Sequence, residues 1–120
     1  MTNVKIVVPD FIFGDDRGKL VQLVHDGFKQ VNVITSKAGF KRGGHYHKLN
    51  TEAFYIVSGS FELVTRYEGK EEKQTFKAGD MFSIPPLVAH DFIYQEDTIL
   101  VSMYDKGVEL DENEKDIYKG

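Results

Sequence analysis

The stretch Gly39-Phe40-Lys41-Arg42-Gly43-Gly44-His45-Tyr46-His47-Lys48-Leu49-Asn50-Thr51-Glu52 decides how the chain is read. It sets two imidazoles two residues apart and a carboxylate five residues further on, and Gly59 and His90 answer it downstream. On a β-strand, residues i and i+2 face the same side, roughly 6–7 Å apart along the chain. His45 and His47 therefore converge on one point, while Tyr46 is aimed the other way. Three of the chain's 4 histidines fall into this constellation, which is a metal-site pattern.

Outward from it, the sequence reads as short strands with turn punctuation. Val4–Val8, Lys19–Val24 and Gln30–Thr35 are β-branched or alternating, separated by Gly-Asp-Asp-Arg-Gly and His-Asp-Gly turns. Ala53–Val57, Ser60–Tyr67, Lys73–Phe76, Met81–Ile84, Asp91–Tyr94 and Ile99–Tyr104 follow, broken at Ser58-Gly59, Glu68-Gly69-Lys70, Lys77-Ala78-Gly79-Asp80 and Gln95-Glu96-Asp97. No apolar stripe with the period of a helix is sustained. About nine strands at this spacing predict an all-β antiparallel sandwich or barrel. The stretch 108–120 is dominated by Asp, Glu and Lys, and reads as a short surface helix or a frayed end without function.

The bulk properties bound the rest. A chain of 120 residues and 13.7 kDa, 41% hydrophobic, makes one domain with one core, spanning 1–120. With no cysteine, a bound metal must take nitrogen and oxygen ligands. The N-terminus lacks the apolar core of a signal peptide, and no apolar run approaches the roughly 20 residues of a membrane span. A cytoplasmic protein without a membrane partner is the expectation. The net charge of −4 argues against nucleic acid, whose binders carry a basic face. A phosphorylated small molecule stays open, because a pocket needs only one or two local cations.

A second cluster, Gly79-Asp80-Met81-Phe82-Ser83-Ile84-Pro85-Pro86-Leu87-Val88-Ala89-His90, completes a pair of motifs that resembles the cupin superfamily. The first matches the pattern G-x5-H-x-H-x4-E-x6-G at Gly39, His45, His47, Glu52 and Gly59. The second matches G-x5-P-x-G-x2-H-x3-N at Gly79, Pro85 and His90, and departs at Leu87 and Tyr94. The resemblance covers about residues 30–105. It implies a small antiparallel jelly-roll β-barrel with His45, His47, Glu52 and His90 lining its interior. Three imidazoles and one carboxylate suit a single divalent transition metal, Fe, Mn, Ni, Cu or Zn, and do not choose among them. His25, in a Val-His-Asp-Gly turn, reads as an ordinary surface histidine.

Further segments are similar to the sugar-nucleotide cupins, the deoxysugar 3,5-epimerases and 3,4-ketoisomerases. These are Phe13-Gly14-Asp15-Asp16-Arg17-Gly18, Lys41-Arg42-Gly43-Gly44-His45-Tyr46 and Ile84-Pro85-Pro86-Leu87-Val88-Ala89-His90-Asp91-Phe92. That resemblance implies isomerisation or epimerisation of a nucleotide-linked keto-deoxysugar by a homodimer. His45 would be the base, Arg42 a phosphate or enolate contact, and Arg17 a diphosphate contact lent to a neighbouring subunit. Strand parity sends His90, Phe92 and Tyr94 inward together, which makes Tyr94 a candidate proton donor. A histidine bound to metal cannot also accept a proton, so either a metal acts as Lewis acid on the ketone with another group as base, or the site holds no metal and His45 is free. Two other function classes also stay open: another metal-dependent cupin enzyme (a dioxygenase or small-molecule isomerase), and a non-catalytic binding module.

Overall fold

The computed structural model describes residues 3–120; Met1 and Thr2, part of the N-terminal stretch read above, lie outside them. Among the described residues every regular element is a strand. They are β1 (Lys5–Ile6), β2 (Phe11–Asp15), β3 (Gly18–Gln22), β4 (Gln30–Ser36), β5 (Lys41–Tyr46), β6 (Glu52–Ser58), β7 (Ser60–Tyr67), β8 (Lys70–Lys77), β9 (Met81–Ile84), β10 (Ala89–Tyr94), β11 (Thr98–Tyr104) and β12 (Tyr118–Lys119). Among the described residues no helix is long and apolar enough to cross a membrane.

Two five-stranded sheets form the body, ordered β1-β9-β6-β11-β4 and β12-β5-β10-β7-β8, with every pairing antiparallel. Neighbours in space are mostly distant in sequence, the connectivity of a jelly roll. Strand alternation fills the space between the sheets: β6 turns Glu52, Phe54 and Ile56 inward, β10 turns His90, Phe92 and Tyr94, and β11 turns Leu100, Ser102 and Tyr104. Phe61, Phe76, Phe82 and Phe92 stack in the middle, Phe76 and Phe82 with ring centroids 4.1 Å apart. Deleting a ring such as that of Phe61 would cost about 3–5 kcal/mol. Beyond Phe54 and Phe92 the same inward rows change from apolar to polar, so one end of the interior is core and the other a site.

Gly59 makes the tight link between β6 and β7. Its φ is +93°, and a Cβ there would collide with the Asp97 carbonyl and the Thr98 hydroxyl. A smaller apolar cluster lies on the outer face, where Ala53, Tyr55, Met81 and Met103 pack under Val7, Val21, Leu23, Val24 and Phe28. The β2–β3 hairpin is a separate two-stranded sheet that leaves Phe11, Ile12, Phe13 and Leu20 half exposed.

Two expectations need correction. Among the described residues the strand count is twelve rather than about nine, because β2, the glycine-rich β5 and the two-residue β12 carry weak local strand signals. The charged C-terminal stretch is neither a helix nor frayed. Asp116 is fully buried, and β12 pairs with β5 through Tyr118 opposite Tyr46 and Lys119 opposite His45. Charge content suggested a solvated end, but the carboxylate is held by backbone amides that a linear reading does not reveal.

Candidate functional site

His45 lies near the end of β5, His47 just beyond it, Glu52 opens β6 and His90 is the second residue of β10. One ligand atom from each of the four falls within 4.8 Å of all the others. His90 stands opposite His45 in register, with a bulge at His90/Asp91, and their ring centroids are 4.6 Å apart. Gly43 permits this approach. Its φ is +115°, and a Cβ there would lie 2.5 Å from the His90 carbonyl oxygen.

The hydrogen-bond pattern orients the rings. His47 donates from Nδ1 to the Asp116 carbonyl at 2.6 Å, which leaves Nε2 3.1 Å from Glu52 Oε1. His90 donates from Nδ1 to the Val88 carbonyl at 3.1 Å, and its Nε2 points to the same Glu52 oxygen at 3.8 Å. That Nε2 is buried without a hydrogen-bond partner. Glu52 Oε2 accepts the Ser102 hydroxyl at 2.5 Å, and Tyr104 stands edge-on to His47 at 5.1 Å. Backbone carbonyls thus fix His47 and His90, as they do for metal-bound histidines, and the free nitrogens surround one carboxylate oxygen. A carboxylate faced by imidazole lone pairs calls for positive charge between them, either a proton or a cation. By this chemistry the four residues fit a divalent metal ion.

The protonation equilibria follow from the surroundings. Burial, then the proximity of His47, lowers the pKa of His45, so it is a neutral imidazole at pH 7. Burial takes His90 down to about 4. For His47 burial also disfavours the cation, but hydrogen bonds to Glu52 and Asp116 outweigh it and raise the pKa. Glu52 ionises below its usual range despite burial, because His47, His90 and Ser102 stabilise its anion.

Arg42, His45, Glu52, His90, Tyr94 and Tyr104 line a cavity of about 400 Å³ with an apolar floor of Ile34, Phe54, Phe92 and Leu100. Its size is that of small-molecule sites. Arg42 donates from Nε to Ser36 Oγ at 2.8 Å and from a terminal nitrogen to the Thr35 carbonyl at 3.1 Å. Arg42 and Lys41 also border a second, more open cavity of about 700 Å³ that runs past Phe40 and Thr98. Tyr94 is buried beside Arg42, and burial raises its pKa.

Of the residues singled out from sequence, His45, His47, Glu52, His90, Arg42 and Tyr94 come together. Arg17 does not join them. It occupies the β2–β3 turn, is exposed and pairs with Asp15. Tyr46 faces away, against Tyr118, and His25 is an exposed partner of Asp10. Sequence reasoning missed Ser102, Tyr104 and Asp116. The first two had a signal, since alternation along Ile99–Tyr104 puts a serine and a tyrosine on the inward face of an apolar strand.

The jelly-roll fold is shared with solved sugar ketoisomerases and epimerases. Residues 13–118 match the profile of the polysaccharide biosynthesis C-terminal domain, and the chain belongs to that family. Comparison with curated protein sequences finds no match. Among solved structures it resembles the WlaRB TDP-quinovose 3,4-ketoisomerase of Campylobacter jejuni, at 19% identity and TM-score 0.83, covering 100% of this chain and 95% of that one. It also resembles the QdtA sugar 3,4-ketoisomerase of Thermoanaerobacterium thermosaccharolyticum in complex with TDP, at 21% identity, TM-score 0.80, and 100% and 90% coverage. A mutant of that enzyme has been solved with TDP-4-keto-6-deoxyglucose. The RmlC epimerase of Mycobacterium tuberculosis follows at 20% identity, TM-score 0.75, and 98% and 68% coverage.

Proposed function

We propose that the chain isomerises or epimerises a nucleotide-linked keto-deoxysugar, with His45 as base and Tyr94 as proton donor. The observation that carries this is a half-buried imidazole sharing one cavity with a hydrogen-bonded guanidinium and a buried phenol. The names of the solved neighbours support the substrate class. His45 removes a hydrogen from the carbon beside the ketone, and the electron pair moves onto the carbonyl oxygen as an enolate. Arg42 offers that oxygen, or a substrate phosphate, a preorganised positive charge. For ketone migration the hydroxyl proton on the deprotonated carbon passes to the enolate oxygen while Tyr94 protonates the former carbonyl carbon. For epimerisation Tyr94 protonates the opposite face of the same carbon. In either case its phenolate takes a proton back from His45 or solvent.

A second reading is favoured by the unpartnered His90 Nε2. In it His45, His47, Glu52 and His90 hold a divalent transition metal, which when bound supplies Lewis-acid polarisation of a substrate carbonyl. His45 is then a ligand, and the proton is handled by Tyr94 or solvent.

Two copies complete the assembly. The apolar faces of β2–β3 and the exposed Val31 and Val33 of edge strand β4 suit a second copy of the chain, which also gives Arg17 a route to the partner's cavity. The test offers TDP-4-keto-6-deoxyglucose to the protein before and after chelation, with metal content measured. Product in both samples supports His45 as free base. Product only before chelation supports the metal reading, and retained metal with no turnover of any keto-sugar nucleotide marks a binding module.

A further inference from the structure

We propose that Asp116 is a positioning residue for the histidine cluster, acting through His47, so that the C-terminal stretch is a working part of the site. The inference deepens the reading above and rests on it. Asp116 is fully buried within a stretch of otherwise mostly exposed charged residues. Its carboxylate accepts four hydrogen bonds: Oδ1 from the amide of Lys48 at 2.8 Å, and Oδ2 from the amides of Leu49 and Asn50 at 2.9 Å each and from Asn50 Nδ2 at 2.8 Å. Its own carbonyl takes the Nδ1 proton of His47 at 2.6 Å. One residue therefore grips the whole run 47–50 that joins β5 to Glu52.

The physical consequence is directional. A carbonyl only accepts, so Nδ1 must carry the proton and Nε2 is delivered toward Glu52. The carboxylate keeps that carbonyl in place, because the turn amides it satisfies have no strand partner. Around the same ring, β12 lies beside His45, and the Gly120 amide donates to the Gly44 carbonyl at 2.9 Å. The tautomer of His47 is thus set by a residue 69 positions away in sequence.

The experiment compares Asp116→Asn and Asp116→Ala with Asp105→Ala by long-range ¹⁵N NMR of the His47 ring and by thermal unfolding. Asp105 is the control because its carboxylate holds the same turn at the Thr51 amide, at 2.9 Å, without touching a histidine. In the wild type the expected result is a slowly exchanging proton on His47 Nδ1. In Asp116→Ala the expected result is exchange faster by at least about tenfold and appearance of the Nε2–H tautomer. Asp116→Asn falls between, since an amide oxygen keeps up to three of the bonds while its NH₂ opposes the remaining amide. Asp105→Ala loses stability with the tautomer unchanged. If Asp116→Ala does not fold, Asp116→Asn decides alone. Retention of the wild-type Nδ1 proton in the folded Asp116 variants, with a loss of stability like that of Asp105→Ala, overturns the proposal. Failure of the keto-sugar reading shows separately, as a wild type without turnover whose His47 tautomer still responds to Asp116.

Discussion

Replacing Gly43 by alanine tests whether the close approach of β5 to β10 builds the site. The φ of +115° is nearly forbidden to an L residue, a cost of about 1–3 kcal/mol. The new Cβ would stand 2.5 Å from the His90 carbonyl oxygen and 2.8 Å from Asp91 Cα. Both are backbone atoms of a paired strand, so β10 must retreat by roughly 1 Å to reach ordinary contact distance. Overpacking of this kind adds about 1–3 kcal/mol, and lost freedom in the unfolded chain returns only about 0.4–1 kcal/mol. The net expectation is a loss of about 3–4 kcal/mol, a large part of the ~5–15 kcal/mol that holds such a domain together. Gly69→Ala is the control: its φ is +78°, but nothing lies within 4 Å of a Cβ there, so only about 1 kcal/mol should be lost. Urea unfolding of both variants at one protein concentration gives the comparison. A gap of about 2 kcal/mol or more, with the His45 and His90 ring resonances displaced only in Gly43→Ala, is expected. Equal midpoints within about 0.5 kcal/mol would refute the packing argument.

Further outcomes follow from other residues. Leu87 sits at φ +75°, where the cupin pattern has glycine, and its amide donates to the His47 carbonyl at 2.6 Å. Leu87→Gly should therefore stabilise the fold by about 0.5–1.5 kcal/mol in thermal or urea unfolding, and a loss would mean that the leucine side chain outweighs the strain. His25 bonds Asp10 at 2.6 Å, and that bond, then the nearby Asp26, raises its pKa above the ordinary value. Its contribution to stability is present below the unfolded pKa and lost as pH rises through the raised folded one. An NMR titration should return to the ordinary value in Asp10→Asn, and no change would remove the cause given. Light scattering should find twice the 13.7 kDa chain mass, falling to the single mass in the double variant Ile12→Asp, Val33→Asp; a monomeric wild type would rule out the paired assembly.

The cluster was legible because its chemistry is local in sequence. Two histidines and a glutamate within eight residues, joined by one histidine on a strand of clear alternation, carry their geometry in their spacing. Strand β7 was read to the residue because Gly59 and Gly69 bracket an alternating run. What escaped was non-local. The glycines of β5 have no strand propensity, and they pair with β10 across a bulge that leaves Gly44 as the extra residue on β5. Asp116 looked like one more charge on a solvated end, and only the turn 48–50, folded back on it, gives that carboxylate its partners. Arg17 belongs to a motif, but the motif's spacing says nothing of which cavity its side chain serves.

The most direct test of the account follows hydrogen at the carbon beside the ketone. TDP-4-keto-6-deoxyglucose is incubated with the protein in D₂O and watched by ¹H NMR. The account predicts that protium leaves that carbon as the product forms, that deuterium enters the same carbon in epimerisation or the former carbonyl carbon in ketone migration, and that His45→Asn slows this by about 10²–10⁴-fold. Product formed without deuterium at either carbon, or a rate unchanged in His45→Asn, would contradict it.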